Sequence, residues 1–269
     1  MAQPILLRLS PAEWMLSVMT VQPDAAASLA ESVNKNMSPE RLQGALQAAR
    51  DALLARDLGR LNSEGKLEIN PVVRSCARAV LSPRASFGLT LIEADGASRV
   101  VFYNWLPGFA VGTWVDVNQI RTFELLDSDD MIPQGILSKW GGVTIGTGLS
   151  VAPILRQFNV PAVTVPALPV TKPEKVNGLA AAFVRGGLPQ DDAAQLERAF
   201  ALPTRRAVLA AAHHANLAPY TLMWLSNEGK SWSIAQASGG SNLTITAANT
   251  AGLTQVVTAF TRELLAGAR

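Results

Sequence analysis

At 269 residues, 48% hydrophobic and only 16% charged, the chain can bury a substantial core in one large domain or two smaller ones. Roughly 25% charged residues is usual, so a surface this thin in charge favours self-association or a protein partner as its cover. A net charge of +2 is too small to imply nucleic acid, and the single cysteine excludes an internal disulfide and a cysteine-built zinc site.

In chain order, Ile5 to Leu9 reads as a short edge strand, followed by a capping box at Ser10-Pro-Ala-Glu13. Trp14, Met15, Val18 and Met19 then line one helical face. Gln22-Pro23 breaks that helix, Ala25 to Val33 makes a second, and Ser38-Pro39-Glu40 opens a long third. In the third, Leu42, Ala45, Leu46, Ala49, Leu53 and Leu54 recur at helical period. A polar hairpin with Gly65 near its tip follows. Asn70-Pro71 then caps a helix whose inward face is Val72, Val73, Cys76 and Val80. Three helices and a hairpin over residues 1–85 resemble a winged-helix module.

From Phe87 the period changes to two. Phe87 to Glu93, Arg99 to Trp105 and Phe109 to Val117 read as strands, separated by the turn signals Asp95-Gly96 and Pro107-Gly108. Asn118 to Leu126 adds a fourth, and Met131 to Trp140 a helix. Turns this short impose antiparallel pairing over residues 86–140. Residues 141–203 read as an ordered connector: the glycine-rich GGVTIGTG, a helix-prone SVAPILRQF, and prolines 161, 166, 169 and 173. Helices are expected at Glu174 to Val184 and Asp191 to Phe200. Residues 204–269 repeat the earlier plan: strands at Arg206 to His213, Tyr220 to Leu225, Ser231 to Ala237 and Asn242 to Thr246, then a final helix capped by Asn249. The fold class is therefore α+β, with two pseudo-repeated units of antiparallel sheet plus helix.

Candidate chemistry is sparse. Gly146-Thr-Gly148 lacks the third glycine of a dinucleotide-binding turn. Gly148-Leu-Ser150-Val-Ala152 has the small residues of a nucleophile elbow, and Asp191 or Asp192 and His213 or His214 follow in hydrolase order. That elbow needs a parallel sheet and an oxyanion loop, neither of which is visible, so Ser150 reads as a helix cap. Adjacent strand residues point to opposite faces, so His213 and His214 cannot hold one metal together. Cys76, on an apolar helix face, reads as an inert thiol. Arg50, Arg56, Arg60 and Lys66 form a basic stripe open to a DNA-binding reading, diluted by Asp51, Asp57, Glu64 and Glu68. Trp105, Trp114, Trp140, Trp224 and Trp232 read as core or interface anchors rather than a stacking platform. No residue set implies a metal, cofactor or small-molecule substrate.

The order LxxAxxxLLARDL, glycine hairpin, INPVV and SP, with a late GKSW before an amphipathic helix, resembles the EspG family of cytosolic type VII secretion chaperones. The matching residues are Leu53, Leu54, Arg56, Leu58, Pro71, Pro83, Gly229 and Trp232, with Asp57 standing where the family tends to have glycine. The resemblance implies a central antiparallel sheet, a quasi-twofold arrangement and binding of secreted proteins in place of catalysis.

No run of 18 apolar residues is present, and Met1 to Leu16 lacks a basic segment before its apolar run, so a cytoplasmic protein is expected. The leading expectation is a non-enzymatic adaptor that binds a protein partner or itself. A winged-helix DNA-binding regulator and a serine hydrolase using Ser150 are the alternatives.

Overall fold

The computed structural model describes residues 5–24, 38–140, 156–164, 178–201, 205–213, 216–227, 230–236, 240–248 and 250–268. They form, in chain order, β1 (Leu6–Leu9), α1 (Pro11–Val21), α2 (Pro39–Ala55), β2 (Gly59–Leu61), β3 (Leu67–Ile69), α3 (Pro71–Leu81) and β4 (Ala85–Ile92). Next come β5 (Ser98–Leu106), β6 (Phe109–Val115), β7 (Arg121–Leu126), α4 (Met131–Trp140), β8 (Arg156–Pro161), α5 (Leu179–Arg185) and α6 (Gln190–Ala201). The chain finishes with β9 (Arg205–His213), β10 (Asn216–Asn227), β11 (Lys230–Gln236), β12 (Asn242–Ala248) and α7 (Thr250–Ala268). The fold is mixed, with antiparallel sheet and seven helices among the described residues.

Two compact units divide the chain, and the first gathers Met1–Pro83 with Asn104–Asp127. Its strands β1, β7 and β6 pair antiparallel in that order, Leu7 opposite Phe123 and Phe123 opposite Thr113. Helices α1 and α3 bury Trp14, Val18, Val73 and Cys76 with Leu9, Leu53, Val111 and Phe123. Local signals fix the helix starts. The capping box is complete, Glu13 N–H donating to Ser10 Oγ and Ser10 N–H to Glu13 Oε2. At α3, Val72 N–H donates to Asn70 Oδ1 behind Pro71.

Helix α2 ends in a Schellman motif: Leu58 N–H donates to Leu53 C=O and Asp57 N–H to Leu54 C=O. The pivot Asp57 takes φ +55, in the left-handed region. Helix α5 ends the same way through Leu188 to Phe183 and Gly187 to Val184, there with glycine at the pivot, φ +101.

The turns follow one recipe as well. Loops at Asn62–Lys66, Glu93–Ala97 and Asp116–Ile120 each close a type I turn on a left-handed residue: Gly65, Gly96 and Gln119. Two of the three use glycine, and Gln119 adopts φ +62 without that freedom.

The second unit joins Arg84–Tyr103 to Ser128–Arg269. Its sheet runs β5-β4-β9-β10-β11-β12-β8, with antiparallel pairing from β4 through β8. One face carries Phe87, Leu89, Leu209, Leu222 and Trp224 and is covered by α4 and α7. There Trp140 meets Trp224 edge-on at 5.7 Å, and a Cβ on Gly135 of α4 would lie 2.8 Å from the Tyr103 ring. The opposite face buries Met223, Leu225, Trp232, Ile234 and Ile245 beneath Phe183, Leu196 and Phe200 of α5 and α6.

One sequence expectation is overturned here. The helix-prone end of SVAPILRQF is instead the start of β8, paired with β12 as Phe158 opposite Ile245. Full burial of Val160 and partial burial of Phe158 against the β12 side outweigh local propensity. Ala162 N–H donates to Ser241 C=O, so alternate residues hydrogen-bond inward and Pro161 stands where its absent N–H would face outward. The connector therefore supplies an edge strand, blunted by proline.

Candidate interaction surface

The face covered by α5 and α6 is not covered alike along its width. By alternation it continues across β9, β4 and β5 as Ala210 and Ala212, then Ser86, Gly88 and Thr90, then Val100 and Phe102. Val100 is 43% and Phe102 49% exposed, and Ala210 is exposed as well. None of these seven residues is charged. Phe102 lies down rather than out: a Cβ on Gly88 would sit 3.3 Å from its ring, so the missing side chain of β4 makes room for the aromatic of β5. The result is a shallow, uncharged strip floored by small residues. Apolar area is exposed at Val100, Phe102 and Ala210, while Ser86 and Thr90 are partly buried between them.

The residues singled out from the sequence are placed differently. Ser150 and His214 lie outside the described residues, as does the turn Gly146 to Gly148. Asp191 and Asp192 open α6 and line a cleft of about 440 Å³ with Arg156, Gln195, Ser231 and Trp232, and Arg156 Nη1 donates to Asp192 Oδ2 at 2.8 Å. His213 is buried on the other side of the sheet, its ring beside Gly267 of α7 and 6.3 Å from Tyr220. The sheet thus stands between His213 and the α6 carboxylates.

The basic stripe is occupied by partners. Arg56 Nη1 donates to the buried Glu13 Oε1 at 2.7 Å and Nη2 to Arg8 C=O at 2.7 Å, tying the end of α2 to the capping box and to β1. Arg60 pairs with Glu68 at 3.0 Å, Lys66 with Glu64 at 2.8 Å, and Arg50 donates to Gly65 C=O. Cys76 is fully buried and burial pushes its thiol pKa up to about 12, where it is no nucleophile at neutral pH. Among the described residues, no three histidine, cysteine or acidic side chains gather as a metal site would need. Four of the five tryptophans picked from the pattern are core: Trp105, Trp140, Trp224 and Trp232 are each less than 7% exposed, and Trp114 is half-buried. The exposed aromatic is Phe102, which sequence reading passed over. An isolated glycine inside the β4 pattern was the available signal for a neighbouring side chain crossing the strand.

No family model matches the chain, and no curated protein does. Among solved structures, the type VII secretion system chaperone EspG5 of Mycobacterium tuberculosis, in complex with a PE25-PPE41 dimer, matches 97% of this chain and 96% of its own at TM-score 0.61. The fold is EspG-like. At 13% identity the match concerns backbone architecture, and it covers nearly the whole chain, as does the EspG resemblance read from LLARDL, INPVV and GKSW. In the EspG-like frame, Asp57 occupies the left-handed pivot of α2, the kind of position at which glycine is at ease. Peroxisomal multifunctional enzyme type 2 of Drosophila melanogaster aligns at TM-score 0.15 with 8% identity over 48% of its length and bears on neither fold nor chemistry.

Proposed function

We propose that the chain is a non-enzymatic protein-binding adaptor of the secretion-chaperone kind, acting in the cytoplasm and receiving its partner on the β5-β4-β9 strip. The observation that carries this reading is the exposed, charge-free strip around Phe102 and Gly88 in a chain whose architecture follows a secretion chaperone almost end to end. That chaperone was solved holding a protein dimer, and the same class of cargo is the partner proposed here. Three adjacent strands span roughly 10 Å between the outer two, the width of one helix, so a helical segment fits beside α5 and α6. The winged-helix-like order of the N-terminal helices and the repeated sheet-plus-helix plan belong to this reading as scaffold, with no DNA-binding or catalytic task.

The test is affinity capture of the tagged chain from its native host, with Phe102→Asp as control. A defined protein partner is expected at fixed stoichiometry with the parent chain. Phe102→Asp should lose it by at least tenfold, because a carboxylate would be desolvated at the contact, while the thermal midpoint changes little at this half-exposed position. Recovery of the parent only as a free chain or homodimer, or equal capture by Phe102→Asp, would overturn the proposal.

A further inference from the structure

We draw no further inference here: the strongest candidate, the open groove of about 550 Å³ between α1, α2 and the β2–β3 hairpin, floored by Leu16, Leu42, Leu46 and Leu67, carries nothing because nothing in the structure shows what covers it.

Discussion

Replacing Arg56 by methionine separates two accounts of the same side chain. If Arg56 is a structural staple, Arg56→Met keeps most of the aliphatic stem and deletes two short hydrogen bonds, to Glu13 Oε1 and to Arg8 C=O, each 2.7 Å. Hydrogen bonds to charged groups contribute about 1.5–3 kcal/mol apiece, and a guanidinium 42% exposed belongs at the low end. Among the described residues, Glu13, 7% exposed, would then keep only the Ser10 N–H against its charge. The expected loss is about 2–3 kcal/mol, or roughly 5–10 °C in the unfolding midpoint at this chain length. Thermal unfolding followed by far-ultraviolet circular dichroism reads this directly, and Glu13→Gln combined with Arg56→Met should cost less than the sum of the single changes. Heparin retention at low salt, measured on the same samples, should not change. An unaltered midpoint together with lost retention would refute the staple and favour a phosphate contact.

Three further outcomes are expected. Gln119→Gly should stabilise the chain by about 0.5–1 kcal/mol in urea unfolding, since relief of the left-handed backbone exceeds the entropy added to the unfolded chain; a destabilising effect would mean the Gln119 side chain holds the turn. Cys76 should resist an aromatic disulfide reagent at pH 8 until the chain unfolds. Its folded pKa lies above the unfolded value of 9.0, so the contribution of the protonated thiol is complete below about pH 9 and falls away as pH climbs towards 12. Stability profiles of parent and Cys76→Ala should therefore diverge in shape only in that alkaline window, and parallel profiles there would contradict it. A fluorophosphonate probe should leave the chain unlabelled, whereas labelling that disappears in Ser150→Ala would establish the hydrolase alternative.

The legibility of this fold tracks how local the determining physics is. Ser10, Asn70, Pro71 and the Asp95-Gly96 turn act within four residues of themselves, and each helix start and hairpin they announce is present. Arg156 to Val160 carries no such marker. Its conformation is set by Leu243 and Ile245 on β12, more than 80 positions away, so helical propensity misled. The uncharged strip around Phe102 was hidden for a related reason. Alternation in SRVVFYNWL assigns Phe102 and Tyr103 to opposite faces without saying which face α4 covers, and only the folded order of strands leaves Phe102 outside while Tyr103 is fully buried. The tryptophans drew notice by size, which is why they fill the core. Arg56 looked like a free cation because its acidic partner lies 43 residues upstream, in the first turn of another helix.

The discontinuity of the first unit orders events during synthesis. Leu53, Val73 and Cys76 can find Val111 and Phe123 only after the polypeptide has emerged past β7, with the whole of β4 made in between. A nascent product stopped at Pro83 displays the amphipathic side of α3 to water and is a ready client for general holdases. A fragment excised at Pro83 lacks the strands that shield its helices and is therefore a poor stand-in for the intact unit.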